Sequence, residues 1–123
     1  MVPDMPEILK PATAPQVLDA VRWAAAEEMP LAVESRGTKR RLGRPVQAER
    51  ILDLSGLAGI DLYEPEELVM TAGPGTPLAE IEAALAERRQ QLAFEPADLG
   101  PLLGGEAAAG TIGGVFACNL SGP

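Results

Sequence analysis

The sequence predicts an α+β fold, on two observations: two capped amphipathic helical stretches alternate with short apolar runs of strand length, and Gly/Pro-rich segments punctuate the alternation. A strand, helix, strand order implies parallel pairing for part of the sheet, because a helical crossover returns the chain in the same direction.

Glu7 to Lys10 reads as a short opening strand. TAPQVLDAVRWAAAEEM follows as a helix: Thr13 and Gln16 have capping-box spacing, Pro15 suits the first turn, and Val17, Leu18, Val21, Ala24 and Ala25 form one apolar stripe that Pro30 terminates. Leu31 to Glu34 is the next strand, and the loop SRGTKRRLGRP leads to the strand ERILDLS, whose Ile51, Leu52 and Leu54 are candidates for burial. ELVMTAG gives another strand. GTPLAEIEAALAERRQQ is the second helix, with Thr76 as cap, Pro77 at the first helical position, and Leu78, Ile81 and Leu85 on one face. Leu92 to Phe94 closes the strand set. From Glu95 the pattern turns to EPADLGPLLGGEAAAGTIGG, which has no sustained helix period and reads as a long ordered crossing loop.

Composition narrows the functions available. The chain has 123 residues, enough for one ordinary domain, and its low aromatic fraction of 3% means a core of Ala, Leu, Val and Ile. A net charge of −8 argues against nucleic-acid binding, which needs a basic face. No apolar run reaches bilayer length, and MVPDMPEILKP lacks the layout of a secretory signal. With one cysteine and no histidine, a zinc site and Ser-His-Asp or Cys-His catalysis are excluded, and a reducing, cytoplasmic setting is expected. Chemistry on this chain must come from carboxylates, basic groups or a cofactor.

Two segments carry a functional signal. Arg36, Lys39, Arg40, Arg41 and Arg44 place five of the ten basic residues within nine positions of an acidic chain. Gly37 and Gly43 let the backbone between them turn its N–H groups inward, a nest suited to a diphosphate, directly after a strand. The spacing is neither that of a P-loop nor that of a Rossmann fingerprint. The second segment is TIGGVFACNLSGP, where Gly113 and Gly114 clear space for a ligand or a neighbouring strand, and Thr111 and Asn119 offer hydrogen bonds. Cys118, a small thiol in an apolar stretch, is expected to be a buried core residue.

The order SRGTKRRLG, ERILDLSGLAGIDLYEPEELVMTAGPGTPLAEIEAAL, then TIGGVFACNLSGP resembles the FAD-binding domain of the vanillyl-alcohol oxidase and p-cresol methylhydroxylase (PCMH-type) flavoproteins. LGRPV, YEPEELVMTAGPGTPLAEIEAAL and ACNLSGP resemble the FAD-binding subunit of bacterial glycolate oxidases in particular. The resemblance implies that the loop at Arg36, Gly37, Thr38, Lys39, Arg40 and Gly43 wraps the FAD pyrophosphate. It implies equally that Thr111, Gly113, Gly114, Ala117, Asn119 and Gly122 lie along the flavin and ribityl side. Relatives that attach flavin covalently do so through histidine, so FAD here is expected to be non-covalent.

The resemblance further implies a first FAD-binding subdomain over residues 1–100, with a small mixed or parallel sheet and two helices, and a glycine-rich crossover with the start of a second subdomain over 101–123. On that basis the chain is expected to be an amino-terminal fragment, inactive and without FAD when isolated, whose end is mobile or packed against another copy. The implied activity is oxidation of a 2-hydroxy acid with electrons passed through flavin, and no catalytic residue is assigned. The implied partners are a second flavoprotein and an iron–sulfur subunit, through which the protein would sit at the periphery of the inner membrane. The rival expectations are a non-catalytic assembly subunit that keeps the fold without firm FAD binding, and a related FAD-dependent lactate or 2-hydroxy-acid dehydrogenase.

Overall fold

The structure, a computed structural model, describes residues 7–45, 47–119 and 121–122. Leu120 and Pro123, within the predicted glycine-rich segment, lie outside the described residues.

Strand β1 (Glu7–Leu9), helix α1 (Ala14–Ala26) and strand β2 (Leu31–Glu34) form a crossover unit, and β3 (Arg50–Asp53) inserts between the two strands, so the sheet order is β1-β3-β2. All pairings in it are parallel, as the strand and helix alternation predicts, with Leu9, Leu52 and Val33 in register. Leu52 on the central strand is 2% exposed.

Thr13 caps α1 by accepting the Gln16 N–H (3.3 Å), while the Gln16 side chain accepts from Ala12 N–H (2.7 Å). The cap is therefore reciprocal, one residue earlier than a standard capping box on its second arm. The helix stops at Ala26, short of the predicted Met29, because Glu28 turns left-handed (φ 52°) and Met29 N–H bonds back to the Ala24 carbonyl (2.8 Å). Its inward face also differs from the predicted stripe. Ala24 is buried and Val17 and Ala20 are half-buried, whereas Leu18, Val21 and Ala25 are exposed. Small residues face inward, and the Trp23 ring instead stacks beneath Arg50, whose guanidinium carbon lies 5.7 Å from the ring centroid.

Sequence reasoning missed strand β4 (Ile60–Glu64), which pairs antiparallel with β5 (Val69–Ala72). Asp61 and Pro65 interrupt its apolar pattern, so the strand depends on pairing with β5. A 3₁₀ turn (Pro65–Glu67) and a left-handed Leu68 (φ 57°) connect the two. Helix α2 (Leu78–Glu87) buries Ile81 and Leu85, two of the three residues assigned to its inner face. After it, Gln90 ties the helix end to the 3₁₀ turn by donating to the Pro65 carbonyl (2.8 Å) and accepting from the Tyr63 hydroxyl.

Thr76 does not cap α2; Pro77 occupies that position. The Thr76 side chain, wholly buried, accepts the Gly59 N–H (2.9 Å) and donates to the Gly73 carbonyl (2.7 Å), locking the Gly73–Gly75 turn onto the chain entering β4. The first N–H of α2 is satisfied from elsewhere, by the Gly110 carbonyl (3.0 Å). Thr76→Val keeps the shape but leaves the Gly59 N–H without its acceptor, while the Gly73 carbonyl keeps the residue-76 backbone N–H, so it should lower stability by about 1–3 kcal/mol, read from the urea midpoint.

The last strand falls later than predicted. Leu92 to Phe94 is irregular, and β6 (Glu95–Pro96) pairs with β7 (Ser121–Gly122). Phe94 instead packs edge-on against Phe116, at a centroid distance of 6.4 Å. The glycine-rich segment holds a third helix, α3 (Ile112–Cys118), which the absence of a helix period concealed. Cys118, expected in the core, is exposed. The helix buries Val115 and its cap Thr111, and its C-terminal end, residues 116–119, is exposed, with Phe116 keeping its edge contact to Phe94.

Candidate functional site

The basic loop leaves β2 and reverses at Gly37 (φ 66°) and Gly43 (φ 80°), backbone settings that side-chain-bearing residues rarely adopt. Two turns form between these glycines, Arg40 N–H to the Gly37 carbonyl (3.3 Å) and Leu42 N–H to the Lys39 carbonyl (3.0 Å). Among the described residues the N–H groups of Thr38, Lys39 and Arg41 have no acceptor.

The three consecutive basic side chains take three different courses. Arg40 folds back over Gly37 and forms a two-pronged ion pair with Glu34, its Nε 3.1 Å from Oε2. Its charge is thereby neutralised within the loop. Arg41 reaches across to the Leu103 carbonyl (3.4 Å). Lys39 crosses to the second segment, where its Nζ lies 3.3 Å from the point that a Cβ on Gly114 would occupy. The two segments singled out from the sequence, some seventy residues apart, therefore meet.

At that meeting point Thr111 caps α3 by accepting the Gly114 N–H (3.3 Å), and Gly113 rests on the Gly73–Thr76 turn, its N–H donating to the Pro74 carbonyl (2.9 Å). A Cβ on Gly113 would lie 2.7 Å from that same carbonyl oxygen. The close neighbour of Gly113 is thus the protein's own backbone.

Cavities flank this junction. One, of about 390 Å³, is lined by Arg36, Gly37, Thr38, Arg40 and Arg41 on one wall and by Leu103–Glu106 and Ala109 on the other. Thr38 also lines an adjoining cavity of about 150 Å³ together with Lys39, Glu82, Asp98, Ala108 and Gly110. A third cavity, about 490 Å³ and apolar, lies over Met70, Ile81, Leu92, Phe94, Ile112 and Phe116, with Gly113 at its edge.

Of the predicted site residues, Arg36, Gly37, Thr38, Lys39, Arg40, Gly113 and Gly114 gather at this junction, and Thr111 supports it. Gly43 turns the loop away from it, with nothing near its Cβ position. Ala117 and Asn119 are exposed at the end of α3, where Asn119 forms a left-handed C-cap (φ 50°), and Gly122 pairs with Glu95. The far wall, residues 98–110, is what sequence reasoning passed over. Asp98 followed by Gly100 is a local turn signal that would have marked it.

The family model described as "FAD binding domain" matches residues 6–122. This chain belongs to the FAD-binding domain family. The domain is 44% identical over 107 residues to glycolate oxidase subunit GlcE of Escherichia coli (strain K12), covering 87% of this chain and 28% of that protein. Two solved structures of cholesterol oxidase from Brevibacterium sterolicum, one of them a histidine-to-alanine variant, share its fold. They align over 94% of the chain with TM-scores of 0.64 and 0.63, at 23% and 22% identity. The domain spans 28% of the length of the glycolate oxidase subunit and 21% of each cholesterol oxidase chain. The resemblance drawn from SRGTKRRLG and TIGGVFACNLSGP is borne out at the level of family and fold.

The site residues suit FAD on their own chemistry. Unpaired N–H groups and arginines beside a polar cavity match a diphosphate, and an apolar cavity with two aromatic rings lies on the other side of Gly113.

Proposed function

We propose that this FAD-binding domain is the cofactor-holding part of a glycolate oxidase-type flavoprotein subunit that oxidises a 2-hydroxy acid. The observation that carries the reading is the convergence of the basic loop and the glycine segment at Lys39 and Gly114, in a chain 44% identical to a glycolate oxidase subunit.

In this reading Arg36 and Lys39 hold the diphosphate charge, and the N–H groups of Thr38, Lys39 and Arg41 donate to its oxygens. Gly37 gives those N–H groups their direction, and Arg40 keeps the loop closed through Glu34. Gly113 and Gly114 border the flavin and ribityl side, with Thr111 fixing their turn and Ala117, Asn119 and Gly122 continuing the segment beyond it. When bound, FAD supplies the group that accepts the electrons of the substrate, and it is held without a covalent bond. No side chain of the domain is assigned to proton transfer from substrate.

Residues 1–100 form the first FAD-binding subdomain and 101–123 the crossover toward a second. The similar Escherichia coli protein is named as a subunit, which supports assembly with other chains; a second flavoprotein and an iron–sulfur protein are the partners proposed. Among the described residues no helix is long and apolar enough to cross a membrane. The proposed location is the cytoplasm, at the inner membrane through those partners.

The test is an amide NMR titration of the 123-residue chain with FAD. Shifts should concentrate at Gly37, Thr38, Lys39, Gly113 and Gly114. The apolar cavity is open and Phe116 is 72% exposed, so the chain should purify without FAD and take up added FAD with a dissociation constant weaker than about 10 μM, since tight cofactor sites enclose most of the ligand. No shifts, or shifts confined to other faces, would overturn the reading.

A further inference from the structure

The far wall of the two polar cavities is made by residues 98–110, within the fourteen-residue stretch ADLGPLLGGEAAAG, which has no helix or strand from 97 to 110. A loop this long and this poor in large apolar side chains has little of its own with which to hold a shape. Its first half closes on itself, through Leu103 N–H to the Leu99 carbonyl (2.9 Å) and Gly105 N–H to the Gly100 carbonyl (2.7 Å). Its second half, from Glu106 to Ala109, has no backbone hydrogen bond of this kind among the described residues.

Asp98 supplies the missing link. One carboxylate oxygen accepts the Gly100 N–H (3.1 Å) and the other accepts the Ala108 N–H (2.7 Å), so one side chain ties both halves together across ten residues. Ala108 sits at φ 57°, a left-handed setting that costs a residue with a Cβ on the order of 1 kcal/mol relative to the ordinary region. Nearby, Gly100 is buried so tightly against Glu106 that a Cβ would run into its carbonyl oxygen. Asp98 is itself exposed and contributes nothing to the apolar core.

We infer that Asp98 is a positioning residue, a clasp that holds residues 106–110 in place as the wall facing the basic loop and thereby sets the affinity for a diphosphate-bearing ligand. The chain of action runs through Ala108. If its N–H is released, Ala108, which lines the Lys39 cavity, relaxes to the right-handed region, and Ala109, which lines the arginine cavity, swings with it about the point where the Gly110 carbonyl is held by the Leu78 N–H. The inference rests on the FAD reading only for its ligand; the clasp itself stands on the hydrogen bonds.

The experiment compares wild type, Asp98→Ala and the double variant Asp98→Ala/Ala108→Gly in the 123-residue chain, with amide exchange and FAD titration read on each. Asp98→Ala should speed exchange at Gly100 and Ala108 by about tenfold or more, leave the exchange of β1, β2 and β3 amides unchanged, and weaken FAD binding by about tenfold, the order expected when two hydrogen bonds stop ordering a wall. Glycine at 108 accepts the left-handed setting freely, so the double variant should recover part of the FAD affinity, by about threefold. Unchanged exchange at Ala108 in Asp98→Ala overturns the clasp. So does a uniform rise in exchange across the sheet, which would mean a global rather than local role. Faster exchange at Ala108 with wild-type FAD affinity overturns its link to the ligand. A wild-type chain that takes up no FAD sinks the preceding functional reading, while the exchange data still decide the clasp.

Discussion

Gly113→Ala should destabilise the domain by about 2–4 kcal/mol, whereas Gly114→Ala, one residue along the same helix, should be neutral or slightly stabilising. Both glycines lie in the first turn of α3, where alanine is the better helix former by about 1 kcal/mol. What separates them is the neighbour. The Cβ of alanine at 113 would meet the Pro74 carbonyl oxygen at 2.7 Å and the Pro74 side chain at 2.8 Å, fixed atoms of a turn that Thr76 locks from behind. Relief requires α3 to lift off, which also breaks the Gly113 to Pro74 hydrogen bond. At 114 the new methyl meets the Thr111 hydroxyl at an ordinary contact distance of 3.5 Å and, more closely, the tip of Lys39 at 3.3 Å, a flexible side chain that can swing aside. The swing has its own consequence, because it moves the ammonium away from the junction. Gly114→Ala should therefore weaken FAD binding by several-fold, on the order of one displaced charge contact, without loss of stability. Urea unfolding by circular dichroism and an FAD titration on both variants check this. Equal stability losses at the two positions would show that α3 does not pack on Pro74 as described.

What the sequence disclosed and what it withheld follow from the range of the forces involved. The Thr13 cap, the presence of parallel pairing and the buried Ile81 and Leu85 were legible because capping, strand–helix alternation and periodicity act over short stretches, whereas the insertion of β3 between β1 and β2 was not. Thr76 misled for an instructive reason. Its spacing before Pro77 suits a cap, but the hydroxyl is drawn away to Gly59, seventeen residues back, and the helix-end N–H of Leu78 is satisfied by the Gly110 carbonyl, far ahead in the sequence. Helix α3 was hidden because Gly113 and Gly114 depress helix propensity where close packing on Pro74 requires them. The basic loop announced itself by charge alone. Nothing local, however, revealed that Arg40 is consumed by Glu34 while Lys39 reaches the glycine segment.

That division of labour among the basic residues sets the largest expected effect on binding. Charge reversal at Arg36 and Lys39 together should weaken FAD binding by about a hundredfold, roughly tenfold per position after solvent screening of partly exposed groups, while riboflavin binding changes little. Riboflavin carries no phosphate, so it isolates the ring and ribityl contacts from the charge contacts. Arg36 has no carboxylate partner among the described residues and borders the polar cavity, and Lys39 stands at the junction with Gly114, so both charges are available to a diphosphate. Arg40→Glu is the informative comparison. It places a second carboxylate against Glu34, so its effect should appear first as a loosened loop, with faster amide exchange at residue 40 and Leu42, and as weaker FAD binding only through that loosening. Raising the salt concentration should narrow the gap between wild type and the Arg36/Lys39 variant, because screened charges contribute less on both sides of the comparison. If reversal at Arg36 and Lys39 weakens riboflavin and FAD equally, the loop is not reading the diphosphate, and its role in the cofactor site would have to be structural.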